Sequence, residues 1–135
     1  MKHIHAGGLV LDADRIELAL PEPNAGGPGV SGVRFFLMGG PFGKFDMAGV
    51  TIAQVAQTLS TKGVTGLVLL TSLGGNLGEG HQVASLIMRP ERFAGVRPEG
   101  DGSRLFFDCG VKVTLPGKTV VQARDALIAA GVTIV

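Results

Sequence analysis

Few side chains in this sequence of 135 residues have the chemistry and spacing of a reaction centre. His3-x-His5 would place two imidazoles on one face of a strand, a plausible metal pair, with a third ligand to come from His81, Asp12 or Asp14. The large barrel in which such HxH pairs serve hydrolases does not fit this length, so the pair is read as exposed terminal histidines and no metal site is assigned. Cys109, the single cysteine, follows Phe106-Phe107-Asp108 at an expected strand end. A thiol nucleophile needs a base, His81 is the one internal histidine, and spacing offers no third group to orient it. Cys109 is therefore read as a small core residue. The glycine-rich segments Gly39 to Lys44 and Gly74 to Gly80 could approach phosphate, but each leads into an expected strand. A phosphate loop opens a helix and uses its first amides, so both segments read as hairpin turns or loop tips. No catalytic residue and no cofactor is assigned, and the chain is expected not to be an enzyme.

Basic residues recur in register, as Arg15/Arg92, Arg34/Arg104 and Lys44/Lys112. If the two halves of the chain are symmetric, Arg15, Arg34, Arg92 and Arg104 could converge on an anionic, nucleotide-like ligand. The competing reading is a set of solvated strand charges paired with Asp14, Glu17, Glu91 and Glu99. The absence of Trp and Tyr removes the usual stacking platform, so specific binding of single-stranded nucleic acid is not expected.

The elements that position these residues follow from an internal duplication. Lys44 to Thr65 aligns without gaps on Lys112 to Thr133, with identity at Lys44/Lys112, Gly49/Gly117, Thr51/Thr119, Gln54/Gln122, Leu59/Leu127, Gly63/Gly131, Val64/Val132 and Thr65/Thr133. Upstream, Arg34-Phe35-Phe36 answers Arg104-Leu105-Phe106, and Asp14-Arg15-Ile16 with Pro21-Glu22 answers Glu91-Arg92-Phe93 with Pro98-Glu99. Thr51-x-x-Gln54 and Thr119-x-x-Gln122 are capping boxes, in which hydroxyl and amide side chains satisfy the first-turn backbone. Apolar residues at helical spacing follow each box, and Gly63 and Gly131 fall where a helix ends in a left-handed residue. Helices are predicted over 51–62 and 119–130.

Ahead of each helix the pattern alternates. Strands are predicted near 9–20 (with a break at Asp12-Ala13), 32–38 and 44–48, and again near 82–97, 103–108 and 111–115. The turn Glu99-Gly100-Asp101-Gly102 signals a hairpin, and Val64 to Thr71 and Val132 to Val135 read as further strands. The expected fold is α+β: two tandem β-meander-plus-helix repeats, 1–66 and 67–135, forming one domain with pseudo-two-fold symmetry and a mostly antiparallel sheet. About 65 residues alone bury little core, which favours fused halves.

Composition sets the remaining bounds. Twelve basic against eleven acidic residues give a net charge of +1, which argues against a protein held to nucleic acid or anionic lipid by charge. One cysteine cannot make an internal disulfide, and no signal peptide or membrane span is legible. A cytoplasmic protein is expected.

The second half carries Leu70-Thr71-x-Leu73-x-Gly75, then Pro90 and Phe93, then a hairpin and a capped helix. In these features it resembles the small FlbD/SwrD-type flagellar proteins, over about 60 residues. It departs from them by the insertion Asn76 to Val83 and by Gly117-Lys118-Thr119 at the helix entry. The resemblance implies a small non-enzymatic module acting through partners, a type that also suits phage accessory proteins. The function expected is an interaction or assembly module, self-associating through sheet edges, with contacts at Leu70 to Met88 and Pro21 to Gly32. The alternative is a small anionic-ligand binder that uses the duplicated arginines.

Overall fold

Alternating apolar residues and two capping boxes translate into an antiparallel α+β fold. The computed structural model describes residues 3–6, 9–39, 44–78 and 80–135; most of the segment Gly39 to Lys44 thus lies outside the described residues. Strands β1 (His3–Ala6) and β2 (Leu9–Asp12) form a hairpin. Asp12 caps a short 3-10 turn, Ala13–Arg15, by accepting from the Asp14 amide at 3.0 Å. The meander β3 (Ile16–Glu22), β4 (Gly32–Leu37) and β5 (Lys44–Ala48) leads into helix α1 (Ile52–Thr61). Four short strands come next: β6 (Val68–Leu70), β7 (Gly75–Asn76), β8 (Gln82–Val83) and β9 (Leu86–Met88). A 3-10 turn at Pro90–Arg92 then opens a second meander, β10 (Phe93–Glu99), β11 (Gly102–Phe107) and β12 (Lys112–Leu115), which ends in helix α2 (Val120–Ala129).

Both helices start where the capping boxes place them. Gln54 N donates to Thr51 Oγ1 (3.1 Å) while Thr51 N donates to Gln54 Oε1 (2.9 Å); Thr119 and Gln122 repeat the exchange at 3.1 and 2.8 Å. Each cap stabilises its helix by about 1 kcal/mol. Gly63 and Gly131 follow the helix ends at φ 72° and 105°.

The strands are more broken than the pattern predicts. The expected strand over 82–97 is split, because Pro90 holds its φ near the helical value and starts the 3-10 turn. Val64 to Thr71 shrinks to Val68–Leu70. Val132 to Val135 is not a strand: Val132 turns into the core, and no strand pairs with this segment among the described residues.

Besides the two-stranded β1-β2 hairpin, two five-stranded sheets stand among the described residues in place of the one expected. Their orders are β5-β4-β3-β9-β6 and β10-β11-β12-β7-β8, and every ladder is antiparallel. The first sheet is built from both halves of the chain, since β9 lies beside β3 with Leu18 opposite Met88 and Ala19 opposite Ile87. Strand β3 is consequently buried on both faces. Ile16 and Ala19 pack with Val33, Phe35 and Met47 beneath Ile52, Val55 and Leu59 of α1. Leu18 and Leu20, with Phe36 of β4, enter a second core with Leu105, Val113, Leu115 and the α2 residues Ala123 and Leu127. Among the described residues, no helix is long and apolar enough to cross a membrane.

Candidate functional site

The clefts of interest lie where the two halves of the chain meet. The β3–β9 ladder ends at Ala19 and Ile87, and past Glu22 the chain enters the Pro23 to Ser31 loop. A cavity of about 330 Å³ is lined by Pro21, Glu22, Arg34 and Lys44 from the first half and by His81 and Cys109 from the second. A neighbouring cleft of about 480 Å³ shares Pro21, Glu22 and His81 and reaches the start of α1 at Thr51 and Ile52. His81 Nε2 donates to the Pro21 carbonyl at 2.6 Å, so the ring carries its proton on that nitrogen and ties the two walls together.

Arg34 in this junction is ion-paired within its own half. Arg34 grips Asp46 with two parallel hydrogen bonds, 2.8 and 3.0 Å, and its third nitrogen lies 3.3 Å from Glu22. The hydrogen bond to Asp46 raises the Arg34 pKa further, against the opposing effect of burial. Arg34 is thus paired with two carboxylates, Asp46 and Glu22. Arg104, at the matching position of β11, lies 3.4 Å from Glu99 and donates to Thr114 Oγ1 at 3.1 Å. Arg34 and Arg104, two of the four arginines expected to bind ligand, are thus held by residues of their own sheets.

Arg15 and Arg92, in contrast, do come together. Arg15 donates to the Met38 carbonyl through Nε and Nη2 (3.2 and 2.7 Å), and Arg92 Nε lies 3.2 Å from the Met38 sulfur. Arg92 also sits 4.0 Å from Asp108, an exposed and weak pair. The two guanidinium groups meet on one residue from opposite halves.

Comparison with protein-family models, with curated proteins and with solved structures returned no match.

Cys109 is not a core residue. It is exposed as a residue, following β11 in the turn to β12, and its amide donates to the buried carboxylate of Glu17 at 2.6 Å. Desolvation, helped by the hydrogen bond to Glu17, pushes the thiol pKa from 9.0 up to about 11. At neutral pH the sulfur is protonated and a poor nucleophile. Because the folded thiol holds its proton to higher pH, it favours folding below about pH 9 and loses that contribution as pH rises toward 11. Iodoacetamide labelling of native Cys109 at pH 7 is expected to run about 100-fold below that of the unfolded chain, with thiolate appearing only above pH 10. Native labelling as fast as unfolded labelling would contradict the shift, and Glu17→Gln is expected to recover part of the rate.

His3 and His5 are exposed on β1, with Asp12 opposite His3. Among the described residues, no three His, Cys, Asp or Glu side chains gather as a metal-binding group. Gly74 to Gly80 contains β7 and the start of its turn to β8, where Asn76 Oδ1 accepts from the Gly78 amide at 3.0 Å. Much of the expected contact strip Leu70 to Met88 is inside the fold, with Leu70, Leu73, Val83, Leu86, Ile87 and Met88 all buried.

Three residues with structural contacts have no motif to announce them. Glu17 holds the Cys109 turn, and Arg89 Nε donates to the Ile16 carbonyl at 2.8 Å, pinning the start of β3. The guanidinium of Arg97 lies 4.6 Å from the centre of the Phe106 ring. Its signal was available in the duplication, since Arg97 matches the buried Leu20 one half earlier.

Proposed function

We propose that this chain is a non-enzymatic interaction and assembly module of the cytoplasm, which self-associates and works through protein contacts. The observation that carries this reading is on α2. Its outward face exposes Val121 and Ile128 at 53% and 48%, where the matching positions of α1 hold Ala53 and Ser60. Two helices with the same cap and the same buried spacing thus differ in what they offer to solvent, and exposed apolar side chains on one face of a helix favour a partner. The halves are read as one duplicated unit with a pseudo-two-fold relation. Support comes from the matched bulges, at Ile16/Leu18 in β3 and at Phe93/Gly95 in β10, and from the matched positions of Arg34 and Arg104. The likeness of the second half to the small flagellar proteins points the same way. Size-exclusion chromatography with light scattering tests self-association. A mass that rises with concentration above the 13.9 kDa of one chain is expected, and a strict monomer overturns the reading.

The meeting of Arg15 and Arg92 at Met38 favours a second reading, a small anionic ligand held between the halves. A thermal-shift screen with nucleotides and phosphate separates the two: a ligand present at 100 times its dissociation constant adds about 2.7 kcal/mol, whereas an adaptor shows no shift.

A further inference from the structure

We infer that the outer face of α2 is the self-association surface, and that its occupant is the α2 of a second copy packed antiparallel across a two-fold axis between Arg124 and Asp125. This rests on the self-association proposed above and specifies its geometry. Val121, Arg124, Asp125 and Ile128 follow the spacing i, i+3, i+4, i+7 and so share one face. That face lies opposite the buried Ala123 and Leu127, and the side chains of Arg124 and Asp125 are 48% and 61% exposed.

The order apolar, basic, acidic, apolar is its own complement when reversed. An antiparallel copy sets Val121 against Ile128 of the second chain, and Arg124 against Asp125 of the second chain, twice over. A two-fold interface requires that reciprocity: if residue i meets j, then j meets i. Within one chain Arg124 and Asp125 are sequence neighbours, with Nη2 3.0 Å from Oδ1, a pair that a second copy can exchange for two interchain pairs. The corresponding positions of α1 are Ala53, Ala56, Gln57 and Ser60, which supply neither the large apolar ends nor the charge pair.

The β10 edge does not compete well for this role. Strand β10 ends its sheet, but a bulge at Phe93/Gly95, the exposed Arg97 and Pro98 obstruct strand addition there. A helix-to-helix contact of this size is small for a stable complex, so a dimer of about micromolar affinity or weaker is expected.

Sedimentation velocity on the full chain tests the inference. Arg124→Asp and Asp125→Arg each place like charges opposite one another, and each is expected to weaken dimerisation about tenfold or more with circular dichroism unchanged. Mixing these two variants restores both interchain pairs, and a heterodimer near wild-type affinity is expected; an effect confined to one chain cannot produce it. Val121→Ser with Ile128→Ser is expected to give a folded monomer. If the wild type dimerises while the mixture is not restored, or while the serine variant keeps its dimer, the α2 surface is wrong and self-association stands. A dimer indifferent to α2 but broken by Val96→Pro assigns the contact to the β10 edge and likewise overturns the inference. A wild type that is monomeric to about 1 mM removes both readings.

Discussion

Gly102→Ala is expected to leave the chain largely unfolded or strongly destabilised, by about 3 kcal/mol or more. The residue opens β11, where a Cβ would press into the Leu115 carbonyl oxygen and lie 2.8 Å from the Gly117 amide nitrogen and 3.1 Å from Pro116 Cα. All three obstacles are backbone, held by the β11–β12 ladder and the turn that leads to the α2 cap, so none can rotate aside. Gly32 occupies the matching place in β4, where its Cβ would meet the Met47 carbonyl oxygen and lie 2.9 Å from Ala48 Cα. Gly32→Ala is expected to behave alike. Folding free energies of about 0.05–0.15 kcal/mol per residue give this chain roughly 7–20 kcal/mol in all, so either substitution removes a large share. Gly29→Ala is the control: its φ of 78° strains an alanine, but nothing lies within 4 Å of the added carbon, and about 1–2 kcal/mol is expected. Urea unfolding of the three variants checks the order. A Gly102→Ala protein within about 0.5 kcal/mol of wild type would mean that the β11–β12 approach is looser than described.

The helices were legible because their determinants are local. A Thr and a Gln three residues apart define each start, and Gly63 and Gly131 mark each end. The meander strands β4, β5, β11 and β12 were legible for a related reason, since alternation over five or six residues is enough to place them. What could not be read was pairing between residues distant in the chain. Leu86 to Met88 is an apolar triplet with no periodicity, and only the strand beside it decides that Ile87 faces the α1 core while Leu86 and Met88 face the other. The duplication encouraged a single symmetric sheet, yet the sequences of β3 and β10 already differ where it matters. Leu18 and Leu20 of β3 correspond to Gly95 and Arg97 of β10: one strand is covered on both faces, the other meets solvent and shields Phe106 with a guanidinium.

The candidate site was legible in residue type but not in partnership. The four arginines recur in register, and nothing in their spacing says that Asp46 satisfies Arg34 or that Met38 gathers Arg15 and Arg92. Cys109 reads as a core residue from the sequence because Phe106-Phe107 before it has the pattern of a strand running into the core. In fact β11 stops at Phe107, and Gly110 at φ 95° turns the chain outward. The α2 surface has no motif of its own: Val121 and Ile128 lie off the buried spacing of Ala123 and Leu127, and only the matching Ala53 and Ser60 of α1 show that the fold does not need them.

Neither half of the chain is expected to fold alone, although each contains a complete meander and a capped helix. Residues 1–66 without 67–135 would lose β9 and β6 from the first sheet, leaving β3 as an exposed edge. Leu18, Leu20 and Phe36 would turn from buried side chains into a solvent-facing apolar row. At about 1.5–3 kcal/mol for each, that exposure costs roughly 5–9 kcal/mol. A unit of this length has only about 3–10 kcal/mol of stability to lose. Residues 67–135 alone would keep β10, β11, β12 and α2 but leave the places of those three side chains empty, and the Cys109 turn would lose Glu17. The expected result is no cooperative thermal transition for either piece by circular dichroism, and a cooperative one when the two are refolded together. Recovery on mixing would come from β9 re-pairing with β3, so Ile87→Pro, which removes a ladder amide there, is expected to abolish it. A sharp two-state melt of residues 1–66 alone would show that β3 tolerates exposure of its second face, and the junction would then be a docking contact between independent units instead of a shared core.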